Sequence, residues 1–366
     1  MGNERKNEFK PDIVFPPGDT LLETIEAMGM SQAGLAARMG VTEKHINEIV
    51  KGKASITEDT ALKLERVLGI DASFWRNLEH NYRKFLAEKA ERDRLSQKYD
   101  WLSKFPLKKM IKWGWIRGFN DKVDQLTELL AFFQVASWES WENVWVQQAS
   151  FRKSSVFQSD PNAIAAWLRR GEILAESIEC EPYDKKRFKA TLPRLKHLSL
   201  ESPEKYLPQI REQCAECGVA VVFLPELPET RVSGVTRWLH KDKALMQLSD
   251  RYKKDDHFWF TLFHEAGHIL LHGKREVFIE NQDEVKADPK EEEADKFAAE
   301  TLIPPKEYMK LVQNGKPTLL QIQVFADQEQ IAPGIVVGRL QHDHVLPFSR
   351  GNKLKRNIQL NDSSSS

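Results

Sequence analysis

His264-Glu265-Ala266-Gly267-His268 sets two imidazoles four residues apart, with a carboxylate beside the first. On a helix, residues at that spacing share one face, so both rings reach a single metal ion. Glu265 then stands where it can take a proton from a water that zinc has acidified toward neutrality, readying that water to attack a carbonyl. The chemistry this spells is zinc-dependent peptide hydrolysis, with Zn2+ as cofactor, His264 and His268 as metal ligands and Glu265 as the catalytic base.

A catalytic zinc site needs a further protein ligand and an open position. A third His ten residues after the first is excluded, because position 274 is Lys. A downstream helix, Glu291-Glu292-Glu293-Ala294-Asp295-Lys296-Phe297-Ala298-Ala299, offers carboxylates instead. Its apolar stripe through Ala294, Phe297, Ala298, Thr301 and Leu302 leaves Glu292 on the wet side, and it does not separate Glu291 from Glu293. His272 continues the face of the two ligands but reads as a helix C-terminal residue, where the dipole favours a partly protonated imidazole. Cys214 and Cys217 form a lone C-x-x-C with only Cys180 besides, too few for a four-thiolate site, and read as packing.

A second chemistry-bearing stretch lies near the N-terminus. Ser31 to Met39 and Thr42 to Lys51 are two short helices with Ser31 and Thr42 as N-caps and Gly40-Val41 as the tight connection. In a helix-turn-helix the second helix enters the major groove with its early residues on base edges. That helix exposes Thr42, Glu43, Lys44, His45, Asn47 and Glu48, while Ile46, Ile49 and Val50 face inward. The expected DNA contacts are Thr42, Glu43, Lys44, His45 and Asn47 on bases, with Gln32, Lys51 and Lys53 on phosphates.

The elements that position these residues follow from patterning. The 366 residues are 41% hydrophobic and 10% aromatic, enough for more than one core. Fifty-four basic residues balance fifty-four acidic ones, so a DNA contact has to come from a local patch rather than from net charge. No run approaches the roughly 18 apolar residues of a membrane helix and the start is polar, which predicts a cytoplasmic protein with no membrane partner. Residues 1–18 read as a flexible arm, 19–88 as the DNA-binding domain with Asp19 capping its first helix, and 89–150 as a helical connector. Within the connector Trp138, Trp141 and Trp145 recur at helical spacing and read as core. Residues 151–349 read as an α+β domain with strands at Val219–Leu224, Val235–Leu239 and Ala244–Leu248 delivering the His-bearing helix. Residues 350–366, basic and then Ser-only, read as a disordered tail. The fold class is mainly α, an all-α helix-turn-helix domain and an α+β zincin-like domain with a small sheet.

The runs Phe258-Trp259-Phe260-Thr261-Leu262-Phe263, His264 through His272, and Glu293-Ala294-Asp295-Lys296-Phe297-Ala298 closed by Leu302-Ile303-Pro304 resemble the ImmA/IrrE-type zinc metallopeptidases. The resemblance extends over roughly residues 151–350 and implies zinc held by His264, His268 and Glu293. Met30-Ser31-Gln32-Ala33-Gly34-Leu35-Ala36 and Ile46-Asn47-Glu48-Ile49-Val50-Lys51-Gly52 resemble the XRE-type domain of HigA antitoxins. That resemblance implies a homodimer on operator DNA that represses a toxin-antitoxin operon, with a cognate toxin or a regulator protein as further partner. Together they lead to a transcriptional repressor whose peptidase cleaves itself or a partner regulator to relieve repression. The alternative is a HigA-like antitoxin whose metal domain only senses or docks a partner.

Overall fold

A computed structural model describes residues 14–146, 160–273, 278–280 and 289–360. The chain divides into two compact units, Met1–Tyr99 and Asp100–Ser366. Among the described residues no helix is long and apolar enough to cross a membrane.

Among the described residues the first unit is five helices, α1 (Pro17–Ala27), α2 (Gln32–Met39), α3 (Glu43–Val50), α4 (Glu58–Leu68) and α5 (Ala72–Ser96). The expected punctuation is present: Ser31 accepts from Gly34 N, Gly40 turns the chain in the left-handed conformation, and Thr42 accepts from His45 N. Leu21, Ile25, Leu35, Ile46, Ile49, Leu64 and Trp75 fill its core. The start of α1 differs from expectation. Proline needs no amide partner at the first helical position, so Pro17 opens the helix and Asp19 sits in its first turn rather than capping it. Gly18 is thereby part of the fold and not of an arm: a Cβ there would lie 2.3 Å from the Ile49 carbonyl oxygen, so its lack of a side chain lets α1 meet the end of α3. Residues 1–13 of the expected arm lie outside the described residues.

No boundary falls near residue 88. Asp71 caps α5 by accepting from Ser73 N, and the helix then runs 25 residues, its second half largely exposed as its charge predicts. Most of the expected connector belongs to the second unit, as α6 (Tyr99–Leu102), α7 (Leu107–Lys112), α8 (Lys122–Phe133) and α9 (Trp138–Trp141), the last continuing as a π-helical turn, Glu142–Val146. Trp101, Phe105, Phe133, Trp141 and Trp145 form an aromatic core there in mostly edge-to-face pairs. The Trp145 indole donates to the Phe133 carbonyl at 3.2 Å. Arg169, from α10 (Pro161–Ser177), donates to the Phe132 carbonyl at 2.9 Å and ties this bundle to α10.

Two further helices, α11 (Lys185–His197) and α12 (Pro203–Ala215), precede a four-stranded mixed sheet. Its strands are β1 (Val219–Phe223), β2 (Gly234–His240), β3 (Lys243–Leu248) and the short β4 (Phe278–Glu280), in the order β1-β3-β2-β4. β1 and β3 run parallel, with Val221 opposite Met246, while β2 is antiparallel to β3 and β4. Three strands match the apolar runs of the sequence; β4 carries no such signal.

Against the sheet lies α13 (Asp255–Leu271), followed by α14 (Pro289–Leu302), α15 (Pro305–Val312), α16 (Leu319–Glu329) and α17 (Pro333–His342). Phe258, Trp259, Leu262, Phe263, Ala266 and Ile269 are all buried, which makes α13 the central helix of this core. The expected disordered tail is corrected by the structure, because residues as far as Leu360 are folded. Arg356 Nε donates to Asp255 Oδ2 at 2.9 Å, Lys355 pairs with Asp256, and Ile358 and Leu360 are buried. The basic residues that suggest disorder are partners for the acidic first turn of α13. Residues 361–366 lie outside the described residues.

Candidate metal centre

Because α13 is apolar on nearly all sides, its polar residues are carried inward with the rest. His264, Glu265 and His268 are 1%, 0% and 2% exposed. Burying such groups is costly unless they are paired or hold an ion. Gly267 admits the neighbouring helix α14, since a Cβ there would already stand 3.2 Å from the Ala294 Cα. Ala294, Ala298 and Leu302 are the buried residues of α14. Glu291, three and seven positions before the two alanines, falls on that same face.

Three side-chain atoms converge as a result. His264 Nε2 and His268 Nε2 lie 2.9 Å apart, and Glu291 Oε2 lies 3.1 Å and 3.3 Å from them. Among the described residues this trio is the group of His, Cys, Asp and Glu side chains able to share a metal ion. On the far edge of the first ring, His264 Nδ1 stands 2.8 Å from Asp295 Oδ1. A carboxylate only accepts, so that nitrogen carries the proton and Nε2 presents a lone pair toward Glu291. Electron-pair donors packed this closely need a positive centre among them, a proton or a metal ion. Ligands held about 2.0–2.2 Å from a tetrahedral zinc stand about 3.3 Å from one another, close to the spacing found. Two imidazoles and a carboxylate, with room in the coordination sphere for a further ligand, fit zinc.

The electrostatics agree. Burial pushes the His268 imidazole from 6.5 down to about 4, against the pull of Glu291, so the ring is neutral at pH 7 and able to give its electron pair. Burial raises the Glu291 carboxyl, but hydrogen bonds with the two imidazoles, through a proton held where a metal ion would otherwise sit, outweigh burial and keep it well below the usual carboxylate range.

Glu293 is not brought to this point. Its side chain is 65% exposed and its Oε2 lies 3.2 Å from His272 Nε2, so the carboxylate expected to complete the site stands behind the histidines while Glu291 faces them. Glu292 is exposed, as its place on the wet side of the helix required. His272 is the C-cap of α13 and its Nδ1 approaches His268 Nδ1 at 2.9 Å. Asp295 is a site residue that the motif reading misses, although its place four residues after Glu291 puts both carboxylates on one face. Glu265 lies on the sheet side: Gly234 at the head of β2 is so close that a Cβ would fall 2.6 Å from Glu265 Oε1, and Thr236 Oγ1 donates to the Glu265 carbonyl at 3.3 Å. Cys214 and Cys217 are buried, the latter 3.4 Å from Thr191 Oγ1, consistent with packing.

In the first unit, Thr42, Glu43, Lys44, Lys51 and Lys53 are exposed, while Gln32, His45 and Asn47 are partly so. Asn47 Nδ2 donates to Gln32 Oε1 at 3.3 Å, linking the start of α2 to the outer face of α3, and Lys44 pairs with Glu48 at 3.8 Å.

Comparison with known proteins places both halves. Residues 21–75 match the helix-turn-helix family. Virulence-associated protein I of Dichelobacter nodosus is 42% identical over 84 residues, 23% of this chain and 75% of that protein. Antitoxin HigA-1 of Vibrio cholerae is 34% identical over 77 residues, 21% of this chain and 70% of the relative. Through this domain the chain belongs to the HigA-like helix-turn-helix family. A solved structure of Pseudomonas aeruginosa antitoxin HigA with the higBA promoter is 29% identical, covering 24% of this chain and 95% of that one, with a TM-score of 0.22. Residues 214–326 match the IrrE N-terminal-like domain of the M78 peptidase type, a narrower stretch than the resemblance read from sequence. The protein is thus a HigA-related helix-turn-helix regulator joined to an M78-type domain.

Proposed function

We propose that this regulator binds operator DNA as a homodimer and that its C-terminal domain is a zinc endopeptidase, acting on itself or on a partner regulator or toxin to relieve repression. The observation that carries the catalytic half is the convergence of His264 Nε2, His268 Nε2 and Glu291 Oε2, two of them on the helix that also carries the buried Glu265. His264, His268 and Glu291 would hold the metal, which when bound supplies Lewis acidity to a peptide carbonyl and to water. Asp295 orients the His264 ring so that Nε2 faces inward. Glu265 accepts the proton from the attacking water and later gives it to the leaving amine. On β2, Gly234 packs against that carboxylate and Thr236 holds the helix backbone at that residue.

DNA binding is supported by the helix-turn-helix match and by a V. cholerae relative named an antitoxin. The P. aeruginosa HigA structure contains its promoter, as expected of a protein of this type. Two-fold symmetry of a dimer would present two copies of α3 to successive major grooves.

The decisive experiment incubates purified full-length protein, loaded with zinc, with its candidate partners, comparing wild type with Glu265→Gln. Cleavage by the wild type alone supports the peptidase. Zinc-loaded wild type that binds a partner and leaves every candidate intact overturns it in favour of a metal domain that senses or docks.

A further inference from the structure

Behind the metal-facing edge of the second histidine runs a chain of contacts that neither the cleavage chemistry nor the three ligands account for. His268 Nδ1 lies 2.9 Å from His272 Nδ1, and His272 Nε2 lies 3.2 Å from Glu293 Oε2. The three rings of His264, His268 and His272 follow one another at helical spacing, with centroids 4.6 Å and 5.0 Å apart. The His272 side chain is 4% exposed although its residue ends the helix.

Two facing Nδ1 atoms make a hydrogen bond only if one carries a proton and the other a lone pair. For a neutral His272 the Glu293 carboxylate decides which, because it only accepts, so the His272 proton sits on Nε2 and His272 Nδ1 is left unprotonated. The proton between the rings therefore belongs to His268 Nδ1. That choice leaves His268 Nε2 with its lone pair on the edge facing His264 and Glu291, the form in which an imidazole ligates a metal.

We infer that Glu293 and His272 are positioning residues, a relay that fixes the tautomer and orientation of His268 and thereby sets how tightly the centre holds its metal. The relay does for His268 through two residues what Asp295 does for His264 through one. It rests on the reading of His264, His268 and Glu291 as metal ligands. His272 does not ligate: its Nδ1 addresses the back of His268, away from Glu291.

The test uses the full-length chain and two readouts, zinc affinity by competition with a chromophoric chelator and the His268 tautomer by nitrogen NMR on the metal-free, histidine-labelled protein. In the wild type, His268 should be protonated at Nδ1. His272→Leu should weaken zinc binding by about 10–100-fold and let His268 populate both tautomers. His272→Asn, whose amide oxygen can stand in for the lost Nδ1 acceptor, should recover most of that affinity, which a residue needed only for packing would not do. Glu293→Gln should loosen binding less than His272→Leu, and Glu292→Gln not at all. Wild-type affinity in a folded His272→Leu, or a wild-type His268 protonated at Nε2, overturns the relay while leaving the ligand trio standing. Failure of the wild type to bind zinc overturns the ligand reading and the relay with it. Should His272→Leu not fold, the wild-type tautomer and the His272→Asn affinity still decide the matter.

Discussion

Asp295 and His264 meet through a 2.8 Å contact between Oδ1 and Nδ1, on the edge of the imidazole opposite the one that faces Glu291. One helix thus supplies both the carboxylate in front of the ring and the carboxylate behind it, four residues apart. An outer carboxylate of this kind raises the basicity of the ligand and fixes its rotation. Asp295→Ala is therefore expected to lower zinc affinity by about 10–100-fold, with Asp295→Asn falling between, because its amide oxygen still accepts from Nδ1. The side chain is 55% exposed, so the fold itself should barely notice. Titration with a competing chelator, read beside thermal unfolding of the metal-free protein, separates the two effects. Equal affinity in Asp295→Ala and wild type would remove the residue from the site.

The ligand set makes a sharper prediction. Purified protein is expected to hold about one zinc per chain, and His264→Ala or His268→Ala to lose it, since a site with one imidazole and one carboxylate is incomplete. Glu291→Gln removes the anion that faces both rings and should weaken binding more than Glu293→Gln, whose side chain faces His272. Elemental analysis after dialysis ranks the variants. Zinc retained by Glu291→Gln and lost from Glu293→Gln would restore the carboxylate that the sequence resemblance implied.

On the DNA side, Asn47 combines partial exposure on α3 with a hydrogen bond to Gln32, which holds its amide at the junction of the two helices. If it makes a base contact, Asn47→Ala should cost about 1–3 kcal/mol of discrimination between operator and unrelated DNA. Lys53→Ala removes an exposed charge just past α3 and should weaken both equally, lowering the slope of log affinity against log salt by about one. Fluorescence anisotropy across a salt series measures each. Unchanged specificity in Asn47→Ala would move base reading to other residues of the helix.

What could be read from the sequence depended on how local the determining interaction was. Ser31, Gly40 and Thr42 act on their own helix ends, and the two helices lie where those residues put them. The His264–His268 pair is equally local, set by one turn of helix. The third carboxylate depends on which face of α14 meets α13. The expected stripe included Phe297, which is only partly buried, and this blurred the face; with Ala294, Ala298 and Leu302 alone, Glu291 is in register and Glu293 is not. The folded C-terminal segment was illegible for a different reason. Lys355 and Arg356 look like a basic tail until the buried Asp255 and Asp256 of α13, a hundred residues earlier, are known to receive them. β4 has the same cause, as a three-residue edge strand that pairs with the distant β2.

The last prediction concerns Gly234, which no motif singles out. Its backbone is pinned from both sides in the sheet, opposite Leu248 on β3 and Glu280 on β4. A Cβ at this position would stand 2.6 Å from Glu265 Oε1, 2.7 Å from Thr261 Cγ2 and 2.9 Å from Glu265 Cγ, all closer than contact allows. The strand cannot easily retreat, so in Gly234→Ala the Glu265 side chain has to turn. Overpacking of this kind costs about 1–3 kcal/mol of stability, visible as a lower denaturant midpoint. His264 and His268 converge with Glu291 of α14 rather than being among the atoms a Cβ at Gly234 would meet, so zinc content should stay at the wild-type level. Cleavage should fall by roughly 100-fold or more, the usual loss when a positioned proton acceptor is removed. Glu265→Gln, nearly isosteric, should reproduce the lost cleavage without the lost stability. Wild-type cleavage by a folded Gly234→Ala would mean that the strand does not hold the base in place. Loss of zinc together with activity would mean that the clash is transmitted through α13 to His264 and His268, making β2 a support of the metal centre rather than of the base alone.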